Sequence, residues 1–104
     1  MKKLEGFQRK YLRGLAHGLK PVVLIGQKGM TDDLLKAAKQ AFESHELIKI
    51  KFIDFKEKEQ KEEISRILEK KTGSELVGAV GHIYIFFKQQ DDTEKRKINL
   101  PLRP

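Results

Sequence analysis

Residues 21–42 read PVVLIGQKGMTDDLLKAAKQAF, and this stretch decides the fold because a strand, a glycine loop and a helix follow one another directly. The run PVVLI is short, β-branched and apolar throughout, which predicts a strand covered on both faces. After the loop GQKG (26–29), Thr31 can cap a helix whose first turn carries two aspartates that favour the helix dipole. The helix is expected to end near Ser44. Its predicted buried stripe consists of Leu34, Leu35, Ala38, Ala41 and Phe42.

A first helix is predicted over residues 4–17, before this unit. Apolar residues recur there at three- and four-residue spacing, which places them on one side of a helix. The predicted stripe is Leu4, Phe7, Tyr11 (with Leu12) and Leu15. Gly18 is positioned to cap this helix, and Pro21 prevents its continuation.

Three further elements follow the glycine unit. The segment LIKIKFID (47–54) alternates apolar residues with Lys49 and Lys51, which predicts a strand with two lysines on its outer face. The segment KEKEQKEEISRILEKKTG predicts a third helix that ends at Gly73. The segments ELVGAV and HIYIFF, joined across Gly81, predict an antiparallel pair of strands.

The predicted order of elements is therefore α-β-α-β-α-β-β. Strands joined through helices should lie parallel, and the last two strands should pair antiparallel. The predicted fold is α/β (α+β), with three helices on a small mixed four-stranded sheet. Residues 1–104 should form a single domain, in which 97–104 is a short C-terminal extension. Two points stay open: the strand order, and whether Tyr84 and Phe86 stack on bases or pack in the core.

Composition narrows the class of partner. The 104 residues carry a net charge of +7, and residues 1–29 contain seven Lys or Arg against one acid, Glu5. Such uneven charge favours a polyanion, with nucleic acid the first candidate and an anionic membrane surface the second. No apolar run approaches the roughly 18 residues of a membrane span, and no targeting segment is visible, so we expect a cytoplasmic protein.

The sequence offers no set of residues for catalysis. It has no Cys, and its three His (His17, His45 and His82) are scattered without metal-ligand spacing. The carboxylates concentrate in the third helix, where they alternate with lysines as on a solvated face. We therefore predict no enzyme activity, no cofactor and no metal.

The GQKG loop carries the most chemistry. Gly26 and Gly29 permit backbone angles closed to other residues, and because they have no side chains they let another backbone come close. The helix N-terminus beyond them supplies free N–H groups, and Lys28 adds a mobile cation. A plain strand-to-helix turn would give the same pattern, so both interpretations stay open on these residues alone.

Nearly the entire chain resembles the CRM domain, and specifically the bacterial single-domain YhbY-type proteins. The resemblance rests on LRGLAH, LKPVV, IGxxG, HELIKIK and the terminal RKINLP, in that order. It implies a fold similar to the C-terminal domain of translation initiation factor three, and a GxxG loop similar to the RNA-clamping loop of KH domains. It also implies binding to ribosomal RNA of the precursor large ribosomal subunit, in support of ribosome maturation.

Carried onto this sequence, the resemblance implies RNA contact at Gly26, Gln27, Lys28 and Gly29. The surrounding basic residues expected to extend that surface are Lys20, Arg9, Lys10, Arg13, Lys49 and Lys51. The last two can equally be solvated strand lysines. The alternative function is a protein-interaction adaptor, which docks on ribosomal proteins through the third helix without touching RNA. We expect a monomer that does not bind membranes.

Overall fold

The computed structural model of the protein describes residues 3–54 and 57–102. Helices and strands follow in the predicted order, which confirms the predicted fold class. Their bounds are α1 (Gly6–Ala16), β1 (Val23–Ile25), α2 (Asp32–Ser44), β2 (Leu47–Phe52), α3 (Lys58–Thr72), β3 (Glu75–Val80) and β4 (Ile83–Phe87). One turn of 3₁₀-helix, Thr93–Lys95, follows in the C-terminal segment.

The strand order, which the sequence left open, is β1-β2-β4-β3. Strand β1 pairs parallel with β2, while β4 pairs antiparallel with both β2 and β3. The residues Leu24, Lys51, Ile83 and Val80 therefore form one row across all four strands. The glycine loop after β1, the end of β2 and the β3–β4 turn all lie beyond this row. We call this end the loop end of the sheet.

Both faces of the sheet are packed, but to different extents. Helices α2 and α3 cover one face, where the larger core forms; it includes Val23, Ile25, Leu34, Ala38, Phe42, Ile48, Ile50, Phe52, Ile64, Leu68, Tyr84 and Phe86. Helix α1 covers the other face, where the smaller core forms; it consists of Leu4, Leu12, Ala16, Leu47, Val77, Ile85 and Phe87. Ile48, Ile50 and Phe52 of β2 thus enter the larger core, while Leu47, on the opposite face, enters the smaller one, as the period of two requires.

The predicted stripe of α1 is wrong in part. Leu4 and Leu12 are buried as expected, but the third buried residue is Ala16 rather than Leu15. Tyr11 and Leu15 are 43% and 42% exposed. Two apolar stripes one residue apart fit the helix period equally well, and the small side chain of Ala16 lets α1 come close to the sheet.

The prediction that β1 is covered on both faces is also wrong. Val23 and Ile25 are buried, but Leu24, which points to the other face, is 58% exposed. Helix α1 has 11 residues and packs on β2, β3 and β4, so it does not reach across to β1. One face of β1 and its outer edge consequently stay open beside the glycine loop.

Tyr84 and Phe86 belong to the core. They are 4% and 0% exposed, so their rings do not form a stacking platform for bases. The Tyr84 ring meets Phe52 edge to face, with ring centroids 5.1 Å apart. Burial, with a smaller contribution from the charge of Glu62, raises the pKa of the Tyr84 phenol above its ordinary value.

The predicted helix ends are confirmed at two positions and wrong at a third. Thr31 caps α2, since its Oγ1 accepts from the Leu34 N–H at 3.0 Å. Gly73 ends α3 with a φ of 75°, in the left-handed region. Gly18, however, is not a left-handed cap: the cap residue of α1 is His17, which has ordinary helical angles, and Gly18 does not have a positive φ.

A buried carboxylate holds the C-terminal segment against the domain. Glu46, just before β2, is 4% exposed. Its Oε1 accepts from the N–H groups of Lys97 and Ile98, each at 2.8 Å, and its Oε2 accepts from the Gln90 N–H at 2.8 Å. Ile98 then packs against the smaller core. Three charged hydrogen bonds therefore order a segment whose sequence reads as a polar linker.

We predict that Glu46→Gln lowers the free energy of unfolding by roughly 2 kcal/mol, because an amide in that position has fewer acceptors and buries an unpaired donor. Urea unfolding measures the decrease, and hydrogen exchange should show faster exchange at Lys97 and Ile98. The matched control is Glu43→Gln, an exposed site near the end of α2, with an expected change within about 0.5 kcal/mol. Equal decreases in both variants would contradict this role for Glu46.

Candidate functional site

The GQKG loop is a tight turn with two exposed corners. The Gly29 N–H donates to the Gly26 carbonyl oxygen at 3.0 Å, which closes the turn. Gln27 and Lys28 occupy the two corner positions, and both are exposed. Lys28 is therefore at the tip of the loop, free to reach toward a ligand.

The two glycines have different roles. Gly29 is buried and has a φ of 65°, an angle that favours glycine strongly. Gly26 does not have a positive φ, so it does not use the backbone freedom that glycine permits. A Cβ placed on Gly26 would meet Asp54 Oδ2 at 3.7 Å, an ordinary contact. The fold thus requires glycine at position 29 and tolerates a side chain at position 26.

Several backbone donors at the loop are unused. Within the described residues, the N–H groups of Gln27 and Lys28 donate to no protein acceptor. The first-turn N–H groups of Asp32 and Asp33 have no partner inside α2, as at any helix start. These donors, together with the positive end of α2, suit an anion.

A groove continues from the loop along the outer edge of β1. Its volume is about 530 Å³, and α2 forms its second wall. The lining residues are Val22, Val23, Leu24, Ile25, Gly26, Gln27, Lys28, Gly29, Thr31, Asp33, Leu34 and Ala37. The walls are mostly apolar, and the polar groups concentrate at the loop.

Two carboxylates flank the loop, and sequence reasoning missed both as parts of the site. Asp33 lines the groove, and Asp54 lies beside Gly26. Each carboxylate disfavours a phosphate beside it, so the exposed tip at Gln27 and Lys28 is the part of the loop that suits an anion best. The spacing of Asp33 and Ala37, four residues apart, could have indicated their shared helix face. Nothing local could have indicated Asp54, because its position follows from the pairing of Ile25 with Phe52.

The two strand lysines differ in their surroundings. Lys51 is exposed in the row nearest the loop end. The Lys49 Nζ instead donates to the carbonyl oxygens of His17 and Leu19, at 3.4 and 3.0 Å. Lys49 thereby caps the C-terminus of α1, the role that the sequence had suggested for Gly18.

The two arginines of α1, Arg9 and Arg13, lie away from the loop. The Arg9 Nη1 is 2.6 Å from the Leu4 carbonyl oxygen and 3.7 Å from Glu75, at the far end of β3. The Arg13 side chain lies over Gly78 of β3, on the opposite edge of the sheet from β1.

Two more lysines lie near α1. Lys10 is exposed on its outer side, next to Tyr11, and Lys20 is exposed just after it. Of the predicted RNA contacts outside the loop, Lys51 is the residue that the sheet register places at the loop end.

Within residues 3–54 and 57–102, no three His, Cys, Asp or Glu residues come together in a way that could hold a metal ion. None of the helices in that part of the chain is both long and apolar enough to cross a membrane.

The fold and the loop define a class: a small α/β domain in which a glycine turn presents unpaired donors between an edge strand and a capped helix. Residues 4–88 match the model of the CRS1 / YhbY (CRM) domain. The chain belongs to this family, which confirms the resemblance seen in the sequence.

Curated relatives match over nearly the whole chain. A Haemophilus influenzae protein named "RNA-binding protein" is 36% identical, over 90% of this chain and 91% of its own length. The Bacillus subtilis "Probable RNA-binding protein YqeI" is 34% identical, over 94% and 99%. The solution structure of SAV1595 from Staphylococcus aureus, a candidate RNA-binding protein, superposes with a TM-score of 0.79 at 30% identity, over 95% of this chain and all of that one.

The two glycines should respond differently to alanine. Gly29→Ala should lower the free energy of unfolding by roughly 1–2 kcal/mol, because alanine is strained at positive φ. Gly26→Ala should change it by less than about 0.5 kcal/mol, because the added methyl group meets only ordinary contacts. Urea unfolding of both variants measures the difference. A larger decrease for Gly26→Ala would show that the turn depends on the first glycine instead.

Replacing the two strand lysines should also have different effects on the free energy of unfolding. Lys49→Gln should cost roughly 1 kcal/mol, since the carbonyl of the cap residue His17 and that of Leu19, just after α1, lose a charged donor. Lys51→Gln, two residues further along the same face, should cost less than about 0.5 kcal/mol. Thermal unfolding followed by circular dichroism compares them, and identical shifts would argue against the capping role of Lys49.

Proposed function

We propose that this protein binds RNA through the GQKG loop, and that its target is ribosomal RNA of the precursor large subunit, whose maturation it assists in the cytoplasm. The observation that supports this proposal is the closed turn, which exposes Gln27 and Lys28 with unpaired N–H groups. The names of the Haemophilus influenzae and Bacillus subtilis relatives support RNA as the class of ligand. The ribosomal RNA target is inferred from the family resemblance.

In this proposal the loop holds one stretch of the phosphate backbone. The N–H groups of Gln27 and Lys28 and the Lys28 ammonium donate to phosphate oxygens, and Gly26 leaves room for the sugar-phosphate chain to come near. Such contacts set the register of the RNA without reading its sequence. Lys51 adds positive charge at the same end of the sheet. The protein acts by binding, with no chemical step.

The adaptor function, with α3 as the docking surface, makes a different demand. Its exposed charges include the ion pair of Lys58 with Glu62, at 3.9 Å. An isolated surface pair of this kind contributes little to stability. The adaptor also requires binding that survives disruption of the GQKG loop, so one experiment separates the two functions.

The test is a titration of the protein with a structured fragment of large-subunit ribosomal RNA at several salt concentrations. The variant Gln27→Glu/Lys28→Glu should bind at least tenfold more weakly, because two carboxylates stand where the phosphates would bind. The slope of log affinity against log salt should also flatten by about 0.7 to 0.9 for each phosphate that the variant no longer neutralises.

The matched control is Lys39→Glu/Gln40→Glu. It makes the same change in charge at two adjacent exposed residues, two turns along α2 from the loop. Gly26→Ala tests whether RNA binding needs the open space beside Gly26, because this variant adds a methyl group, keeps the charge and should keep the fold. The proposal fails if the loop variant binds RNA as well as the control does. Binding to ribosomal proteins that survives in the loop variant would favour the adaptor.

A further inference from the structure

We propose that the groove beside the GQKG loop holds unpaired bases of single-stranded RNA, and that Asp33 selects bases that carry an exocyclic amino group. This inference rests on the proposed RNA contact at the loop and specifies which form of RNA the same site takes. Its starting point is that the loop and the groove are one continuous surface, because all four loop residues also line the groove.

The shape of the groove suits flat apolar groups. Its floor is apolar, since Val23, Ile25 and Leu34 are buried beneath it. Leu24 and Val22, which are 58% and 51% exposed, form the rim on the β1 side. On the α2 side the wall is Ala37, which is exposed and too small to fill the space. Ligand sites in proteins are typically concave and mostly apolar with a few polar groups, and this groove has that character.

Continuity with the loop decides the occupant. A strand whose phosphates contact Lys28 carries its bases to one side of that backbone, and the groove lies beside the loop. The bases of a duplex are paired and stacked, so they cannot enter an apolar groove, whereas unpaired bases can turn out of the strand. Asp33 and Asp54 discourage phosphates on either side of the tip, so the backbone does not fill the groove.

The two aspartates at the start of α2 have different surroundings. Asp33 lines the groove with Ala37, while Asp32 lies on the other side of the helix, beside Met30, Leu35 and Lys71. Both are favourable to the helix dipole, and that effect alone explains either one. The Asp33 carboxylate has no hydrogen bond or ion pair within the described residues, so its acceptors are available to a ligand.

The chemistry of that carboxylate discriminates between bases. A carboxylate oxygen accepts a hydrogen bond from the N4 amino group of cytosine. Uracil has nearly the same shape but presents the O4 acceptor at that position, which a carboxylate repels. Cytosine and uracil are therefore the sharpest pair of probes. One good base-edge contact corresponds to about a fivefold to tenfold preference.

The experiment measures fluorescence anisotropy with labelled eight-nucleotide oligomers of cytidine and of uridine at pH 7.5 and low salt. The wild-type protein should bind the cytidine oligomer at least fivefold more tightly. Asp33→Asn should bring the two affinities within twofold of each other. Asp32→Asn, the matched control, should keep the preference because its side chain is outside the groove.

A second variant tests the groove itself. Ala37→Leu places a larger apolar side chain in the wall of the groove and should weaken binding of the cytidine oligomer about tenfold. An unlabelled duplex that contains the same cytidine strand should compete much less well than the free strand. These readouts depend on the groove and not on the charge of the loop.

Three results of the oligomer experiments would overturn the inference without touching the proposed function: equal binding of the two oligomers, equal effects of Asp33→Asn and Asp32→Asn, or a duplex that competes as well as the single strand. The proposed function survives those results if Gln27→Glu/Lys28→Glu still abolishes RNA binding. If that loop variant instead binds as the wild type does, the proposed function fails, and the inference fails with it. Unchanged RNA affinity in Ala37→Leu would leave the groove to an extended peptide paired with the β1 edge, which also contradicts the inference.

Discussion

Strand β2 must contribute side chains to two cores at once, and the rest of the structure depends on this constraint. Ile48, Ile50 and Phe52 enter the core under α2 and α3, while Leu47 enters the core under α1. A slip of one residue would exchange the faces and place lysines in the larger core, which fixes the register strongly. With that register set, β1 and β4 have defined positions on either side of β2.

The candidate site is a consequence of that arrangement. Parallel pairing places Ile25 beside Phe52, so the GQKG loop leaves the sheet next to Asp54. Helix α1 packs on β2, β3 and β4 and leaves β1 with an open face and an open edge. The groove exists because α1 covers only part of the sheet. Glu46 lies just before β2, at the end of the sheet opposite the loop end. Its carboxylate orders the C-terminal segment there.

The parts of the site that the sequence predicted are the local ones. The strand, the turn and the Thr31 cap involve contacts between residues a few positions apart, and such contacts follow from side-chain chemistry and spacing. The positions of the basic residues were harder to predict, because their order along the chain does not show where they lie in the fold. Arg9 and Arg13 lie along β3, across the sheet from β1, and Lys49 caps α1. Their roles follow from the strand order, which no local pattern contains.

By itself, the sequence determined the element order, the caps of α2 and α3 and the exposed loop with Lys28 at its tip, because periodicity and turn chemistry act over short distances. Only the tertiary structure decided which apolar stripe of α1 is buried, that Gly29 rather than Gly26 has the special backbone angle, and that Asp33 lines a groove. These features depend on which surfaces meet when β2 packs on both faces. Both apolar stripes of α1 fit the helix period, and packing against the sheet decides between them.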